Sequence, residues 1–143
     1  MLKRPARLVL AALLALPAAA CSGNADRMRT YPVTGRVLLN GKPLAGATVC
    51  LIPGERDKYP RERPSGTTDK EGKFQLSTYV TDDGAPVGDY GVIVYQLKEG
   101  AEEGSDQKVP NLLPARYLKP ETSGLKYSVK PGSNEIPPIE LKK

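Results

Sequence analysis

Glycine and proline punctuate this chain so often after residue 21 that no ten-residue stretch offers an uninterrupted amphipathic helical face. A helix needs apolar residues recurring at spacings of three and four, and an interior proline costs it ~3 kcal/mol or more. What fits between the breaks is short strands. The 14 Gly and 14 Pro among 143 residues are therefore read as turn residues of one small all-β domain.

The runs between breaks bear this out in detail. Tyr31 to Leu39 alternates Val33, Val37 and Leu39 with Thr34, Arg36 and Leu38, and Asn40-Gly41 follows as a strong hairpin signal because both residues tolerate positive φ. Ala47 to Ile52 is the second strand, and Pro53 to Arg63 a long polar loop. Ser65 to Thr68 and Lys73 to Thr78 read as a second hairpin around Asp69-Lys70-Glu71-Gly72, with Phe74 and Leu76 on one face. After the turn-rich Thr81 to Gly88, Asp89 to Leu97 places Tyr90, Val92 and Val94 on one face and Gly91, Ile93 and Tyr95 on the other. Apolar residues on both faces predict a strand in the middle of a sheet. Lys98 to Lys108 is acidic and predicts an exposed loop. Val109 to Pro120, with three prolines, predicts irregular chain packed over one end of the core. Leu125, Tyr127 and Val129 alternate with lysines and serine in a further strand, and Glu135 to Leu141 contains Pro137 and Pro138, which confine it to a sheet edge. About seven short antiparallel strands of this kind predict an Ig-like β-sandwich.

The N-terminus is organised differently. Lys3, Arg4 and Arg7 are followed by thirteen uncharged residues, Leu8 to Ala20. That run is too short for the roughly 20 residues of a membrane-spanning helix and has the order of an export signal. Ala18, Ala19 and Ala20 directly before Cys21 resemble a bacterial lipobox, although Ala18 stands where leucine is usual. That departure leaves ordinary signal-peptidase cleavage after an A-x-A site open. The resemblance implies a division into a signal peptide (1–20), a lipidated Cys21 with a polar tether (21–29) and a β-sandwich domain (30–143). It also implies export, a membrane partner held through Cys21, and an address at the outer membrane if Ser22 follows the sorting rule of enteric bacteria.

This division changes the meaning of the charge. Three of the 21 basic residues lie in the signal, so the formal +5 of the chain falls to about +2 for residues 21–143. Nucleic-acid binding loses its electrostatic support. The densest basic stretch, Arg56, Lys58, Arg61 and Arg63, is interleaved with Glu55, Asp57 and Glu62 and reads as a solvated loop. With Cys21 acylated, Cys50 has no disulfide partner in the chain, and its neighbours Val49, Leu51 and Ile52 predict a buried thiol acting as a small hydrophobe.

Four segments carry a family likeness: VTGRV at Val33 to Val37, NGKPLAGATV at Asn40 to Val49, GTTDKEGKFQL at Gly66 to Leu76 and GDYGVIV at Gly88 to Val94. Together they resemble the carboxypeptidase regulatory-like, transthyretin-like (prealbumin-like) domain, and Arg116 to Leu141 is similar to the end of small bacterial lipoproteins that carry it. The shared residues are turn glycines, a turn aspartate and core aromatics. Tyr90, two residues after Gly88, is placed for a tyrosine-corner-like contact. The resemblance implies a non-catalytic module of the cell envelope with a structural or interaction role and an envelope protein or a glycan as its partner; the alternative is a carbohydrate, peptide or Ca²⁺ binding module.

Enzyme chemistry is not expected. Transthyretin-like 5-hydroxyisourate hydrolases depend on histidines and a C-terminal Tyr-Arg-Gly-Ser type motif, whereas this chain has no histidine and ends Glu140-Leu141-Lys142-Lys143. The same lack removes the imidazole that would activate Cys50. No cofactor is expected. Asp82, Asp83 and Asp89, with Gly84, are the weak candidates for a Ca²⁺ site, weighed against the plainer reading as solvated turn acids. For sugar binding, the absence of tryptophan leaves Tyr59 and Tyr79 as the ring candidates. An internal isopeptide bond, needing a buried Lys beside Asn or Asp, is not placed by sequence.

Overall fold

The computed structural model describes residues 27–54, 63–98 and 110–143. Cys21, Tyr59 and most of the interleaved basic stretch lie outside the described residues. Among those described, no helix is long and apolar enough to cross a membrane.

The fold is an all-β sandwich of short strands. Chain order runs β1 (Thr30–Tyr31), β2 (Val33–Leu39), β3 (Lys42–Pro43), β4 (Thr48–Pro53), β5 (Ser65–Thr67) and β6 (Lys73–Gln75). It continues with β7 (Ala85–Pro86), β8 (Gly88–Tyr95), β9 (Lys126–Val129), β10 (Asn134–Glu135) and β11 (Ile139–Leu141). One sheet is ordered β5-β4-β8-β9; the other is built on β2, with β3 and β6 along one side and β10 and β11 along the other; β1 and β7 form a separate pair.

The strand count exceeds the expected seven because prolines divide two runs that the alternation joins, and because β3 and β7 are further two-residue pairings with β2 and β1. Pro32 separates β1 from β2, and Pro137-Pro138 separates β10 from β11; a proline has no N–H for a ladder. A second departure is direction. Both β10 and β11 run parallel to β2, with Glu135 opposite Thr34 and Ile139 opposite Val37, so the sandwich is not wholly antiparallel. The last strands enter from the same end of the sheet as β2, and in this register Ile139 stands beside Val37 with Ile136 and Leu141 also buried in the core.

The core is the inward half of each alternation. Val33 and Val37 from β2, Val49 and Leu51 from β4, Phe74 from β6, and Val92 and Val94 from β8 are all buried. A fully buried Val, Leu or Phe contributes roughly 1.5–3 kcal/mol relative to exposure. Cys50 is buried as expected. Asn40 and Gly41 have φ of 50° and 79°, the two positive values that a two-residue hairpin turn requires, and Leu39 pairs with Lys42 across it. β8 lies between β4 and β9, as its two apolar faces predict.

The second hairpin differs from expectation. β5 pairs with β4 and β6 pairs with β2, so its two arms belong to opposite sheets and meet at the Ser65–Ser77 bridge. A Cβ on Gly66 would collide with the Gln75 carbonyl oxygen; the missing side chain is what lets the arms cross this corner. The segment after Val109 also gains some order. Ala115–Leu118 forms a 3-10 turn and Pro120–Ser123 one helical turn, here α1, because Pro at the first helical position needs no hydrogen-bonded N–H. Leu113 and Tyr117 pack into the core, whereas Leu112 and Leu118 stay 46% and 39% exposed.

Candidate functional site

The corner formed by β5 and β6 leaves a concave outer face that spans both sheets. Its geometry follows from register. Glu135 lies opposite Thr34 and Thr34 opposite Gln75, and the Ser65–Ser77 bridge carries Thr67 into line with Gln75. Two residues along from Thr67, Gln75 and Thr34, the side chains of Asp69, Lys73 and Arg36 form a second outward row, with Pro138 beside it between β10 and β11: Lys73 pairs with Arg36, and the Asp69 amide donates to the Lys73 carbonyl. Ser77 and Asp82 close one end. These residues line a hollow of about 780 Å³, within the size range of small-ligand sites.

Local structure holds several of these side chains in place. Asp69 Oδ1 accepts the Glu71 and Lys73 amides at 2.8 and 2.9 Å, which fixes the turn. Arg36 donates through Nε to the Glu71 carbonyl at 3.0 Å, so the plane of its guanidinium is set by backbone. Lys73 Nζ lies 2.8 Å from Glu71 Oε2, and this hydrogen bond, with the charge of Glu71, raises the Lys73 pKa. The pair is solvent-exposed, and such pairs contribute little to stability. Asp82 sits at φ 59° and its amide donates to Ser77 Oγ at 2.8 Å.

The three candidate calcium ligands are not gathered at one point. Asp83 spends both carboxylate oxygens on the backbone: Oδ1 accepts the Thr78 amide at 2.6 Å, and Oδ2 those of Tyr79 and Val80 at 3.0 and 3.3 Å. Asp89, on β8, accepts the Ser128 hydroxyl at 2.5 Å across the ladder to β9. Asp82 belongs to the concave face instead. Among the described residues, no group of three His, Cys, Asp or Glu side chains is arranged to hold a metal ion.

Tyr79, the described ring candidate, is not part of the hollow. Its hydroxyl accepts the Met28 amide at 3.2 Å, and the Arg27 guanidinium lies 5.2 Å from its ring centroid, so it ties down the entry to the domain. Tyr90 is a core residue, 3% exposed, whose hydroxyl donates to the Pro86 carbonyl four residues upstream at 2.8 Å, the predicted corner contact. Sequence reading missed the concave face itself. Its signal was the outward set Thr34, Arg36, Lys73 and Gln75, which alternation identifies as solvent-facing but only the pairing brings together.

A further cluster lies at the C-terminus. The Tyr117 hydroxyl accepts the Lys142 amide and Arg116 Nη2, each at 2.9 Å. Burial by itself would push this phenol up, but those two donors outweigh it and hold its pKa below the ordinary tyrosine value.

No protein-family model matches the chain, and no curated protein matches it. Weak likenesses exist among solved structures. A DUF3823 family protein from Parabacteroides merdae is 14% identical, with a TM-score of 0.42 over 80% of this chain and 47% of its own. A 9R-lipoxygenase from Cyanothece is 16% identical, with a TM-score of 0.40 over 79% of this chain and 16% of its own. A proposed carbohydrate binding protein from Pseudomonas aeruginosa is 12% identical, with a TM-score of 0.39 over 81% and 90%. The chain thus spans about half the length of the first of these and far less of the second. Fold and site together define an all-β sandwich domain with a polar, concave outer face.

Proposed function

We propose that this chain is a non-catalytic, lipid-anchored β-sandwich module of the bacterial cell envelope, of the carboxypeptidase regulatory-like kind, with a structural or interaction role. The observation that carries the reading is the order of its parts. A basic and then uncharged leader ends in three alanines before Cys21, and a short polar tether separates that cysteine from β1 at Thr30. An anchor of three acyl chains would hold the domain permanently at a membrane, since each buried methylene contributes roughly 0.8 kcal/mol. A non-catalytic role is supported by the residue types available. The chain has no imidazole, and Asp69, Asp83 and Asp89 are engaged by backbone amides or a serine hydroxyl rather than aimed at a common point.

The test is acylation of Cys21. Cells making the protein incorporate labelled palmitate into it, globomycin causes the unprocessed form to accumulate, and Cys21→Ser abolishes both effects. An unlabelled protein whose processing ignores globomycin would favour cleavage at the A-x-A site and release from the membrane. The concave face supports a second reading, a ligand-binding module on the same anchor.

A further inference from the structure

The outer face of β5, β6, β2 and β10 combines groups that are rarely useful to the same partner. The carboxylates of Asp69, Asp82 and Glu135 only accept hydrogen bonds, Arg36 and Lys73 only donate, and Thr34, Thr67, Gln75 and Ser77 do both. Each class of partner can be weighed against that set. A polyanion would meet three carboxylates, and a polycation the Arg36 and Lys73 charges at the centre of the face. An apolar surface would strip water from five charged side chains, and burying charges without compensation is costly. A neutral polyhydroxyl chain meets none of these penalties. Every sugar hydroxyl is one donor and two acceptors, so interleaved acceptor-only, donor-only and dual groups can satisfy it from any side.

We infer that this face binds a neutral glycan, lying across the strands from the Asp82 end towards Pro138. The inference does not depend on acylation of Cys21, because every residue it uses lies between Thr34 and Pro138. Two features of the hollow fit it. Its volume of about 780 Å³ suits an oligosaccharide, and the Nε bond from Arg36 to the Glu71 carbonyl pre-orients a guanidinium that would otherwise lose rotamer freedom on binding. Among the described residues that line it the one aromatic ring, Phe74, is 3% exposed and offers no stacking platform. Recognition therefore rests on hydrogen bonds, and the expected affinity is weak, with a Kd on the order of 1 mM.

The experiment is an amide-shift titration of the isotope-labelled full-length protein in detergent micelles. The probes are cellohexaose and chitohexaose, against hexagalacturonate and pentalysine. A neutral probe is expected to saturate shifts at Thr34, Arg36 and Gln75 in preference to the charged probes. Gln75→Ala is expected to weaken it about tenfold, the loss of roughly one good hydrogen-bonded contact, while Ser128→Ala on the other sheet leaves it unchanged. The inference is overturned if neither neutral probe binds at about 10 mM, if a charged probe binds more tightly, if the shifts centre on β8 and β9, or if Gln75→Ala leaves the affinity unchanged. An intact mass on the same sample reports acylation of Cys21 separately, so the fate of the anchor and that of the glycan site are read independently.

Discussion

The two sheets treat their outer faces in opposite ways. On the β8 side, the chain after residue 110 folds back over the sheet: Pro120 packs where a side chain on Gly91 would stand, the Ser123 hydroxyl donates to the Val92 carbonyl at 2.7 Å, and the Leu112 amide reaches the Gln96 carbonyl at 2.8 Å. On the β2 side, Arg36, Lys73 and Gln75 are exposed and Thr34 is half-buried. A small domain has little chain to spare for covering surface. Among the described residues it is used where the central strand is apolar on both faces, and the polar side chains Arg36, Lys73 and Gln75 stay exposed. The covered side is expected to carry stability, and the open side recognition.

The largest expected effect lies under the cover. Tyr117 is 5% exposed and joins the 3-10 turn to the residue after β11 through its hydroxyl. Tyr117→Ala removes the ring from the core and frees the C-terminal end, and is expected to cost about 3–5 kcal/mol in chemical denaturation. Gln75→Ala on the open face is expected to change stability by less than about 0.5 kcal/mol. A comparable loss from both substitutions would abolish the distinction between the faces.

Gly66 tests the corner at which the open face is made. Gly66→Val places atoms against the Gln75 carbonyl, which belongs to backbone and cannot swing aside. The expected destabilisation is about 1–3 kcal/mol, as for other overpacked sites. Because the corner also shapes the hollow, this variant should lose both stability and glycan binding. Gln75→Ala should lose binding alone.

How much of this was legible in the sequence depends on the range of the interaction responsible. Turns were legible, since Asn40-Gly41 and Asp69 act through their own φ values and side-chain bonds within a few residues. Inward positions were legible too, because alternation needs no partner, as Val92 and Val94 show. Pairing was not. Nothing local tells the Lys73–Gln75 arm to leave its hairpin partner for β2, or β10 and β11 to run parallel with β2, since those choices are made by burial of Phe74, Ile136 and Leu141 against distant strands. The candidate site draws on such pairings. Of the acids singled out by sequence only Asp82 lies on it, while Arg36, Lys73 and Glu135 reach the same surface from strands far apart in the chain.

Tyr90 offers a more local comparison on the covered sheet. Tyr90→Phe keeps the ring and deletes the hydroxyl that satisfies the buried Pro86 carbonyl. The expected cost is about 1–3 kcal/mol, that of leaving a buried acceptor unpaired. Thermal or chemical denaturation checks it, and a loss near zero would mean that water replaces the contact.

The smallest effect concerns pH and again separates buried from exposed groups. The depressed Tyr117 pKa means that the folded state holds the phenolate more readily than the unfolded chain does. Its contribution therefore grows as pH rises from the depressed folded value towards the ordinary tyrosine value of about 10, and is lost again as pH falls through the folded value. Titration of the unfolding free energy between neutral pH and about 10 should show the wild type gaining on Tyr117→Phe as pH rises. Lys73, whose raised pKa arises at an exposed pair with Glu71, is not expected to give a measurable slope of its own, because solvent screens that pair. A constant difference between wild type and Tyr117→Phe across the range would show that Arg116 and the Lys142 amide do not outweigh the burial of the phenol.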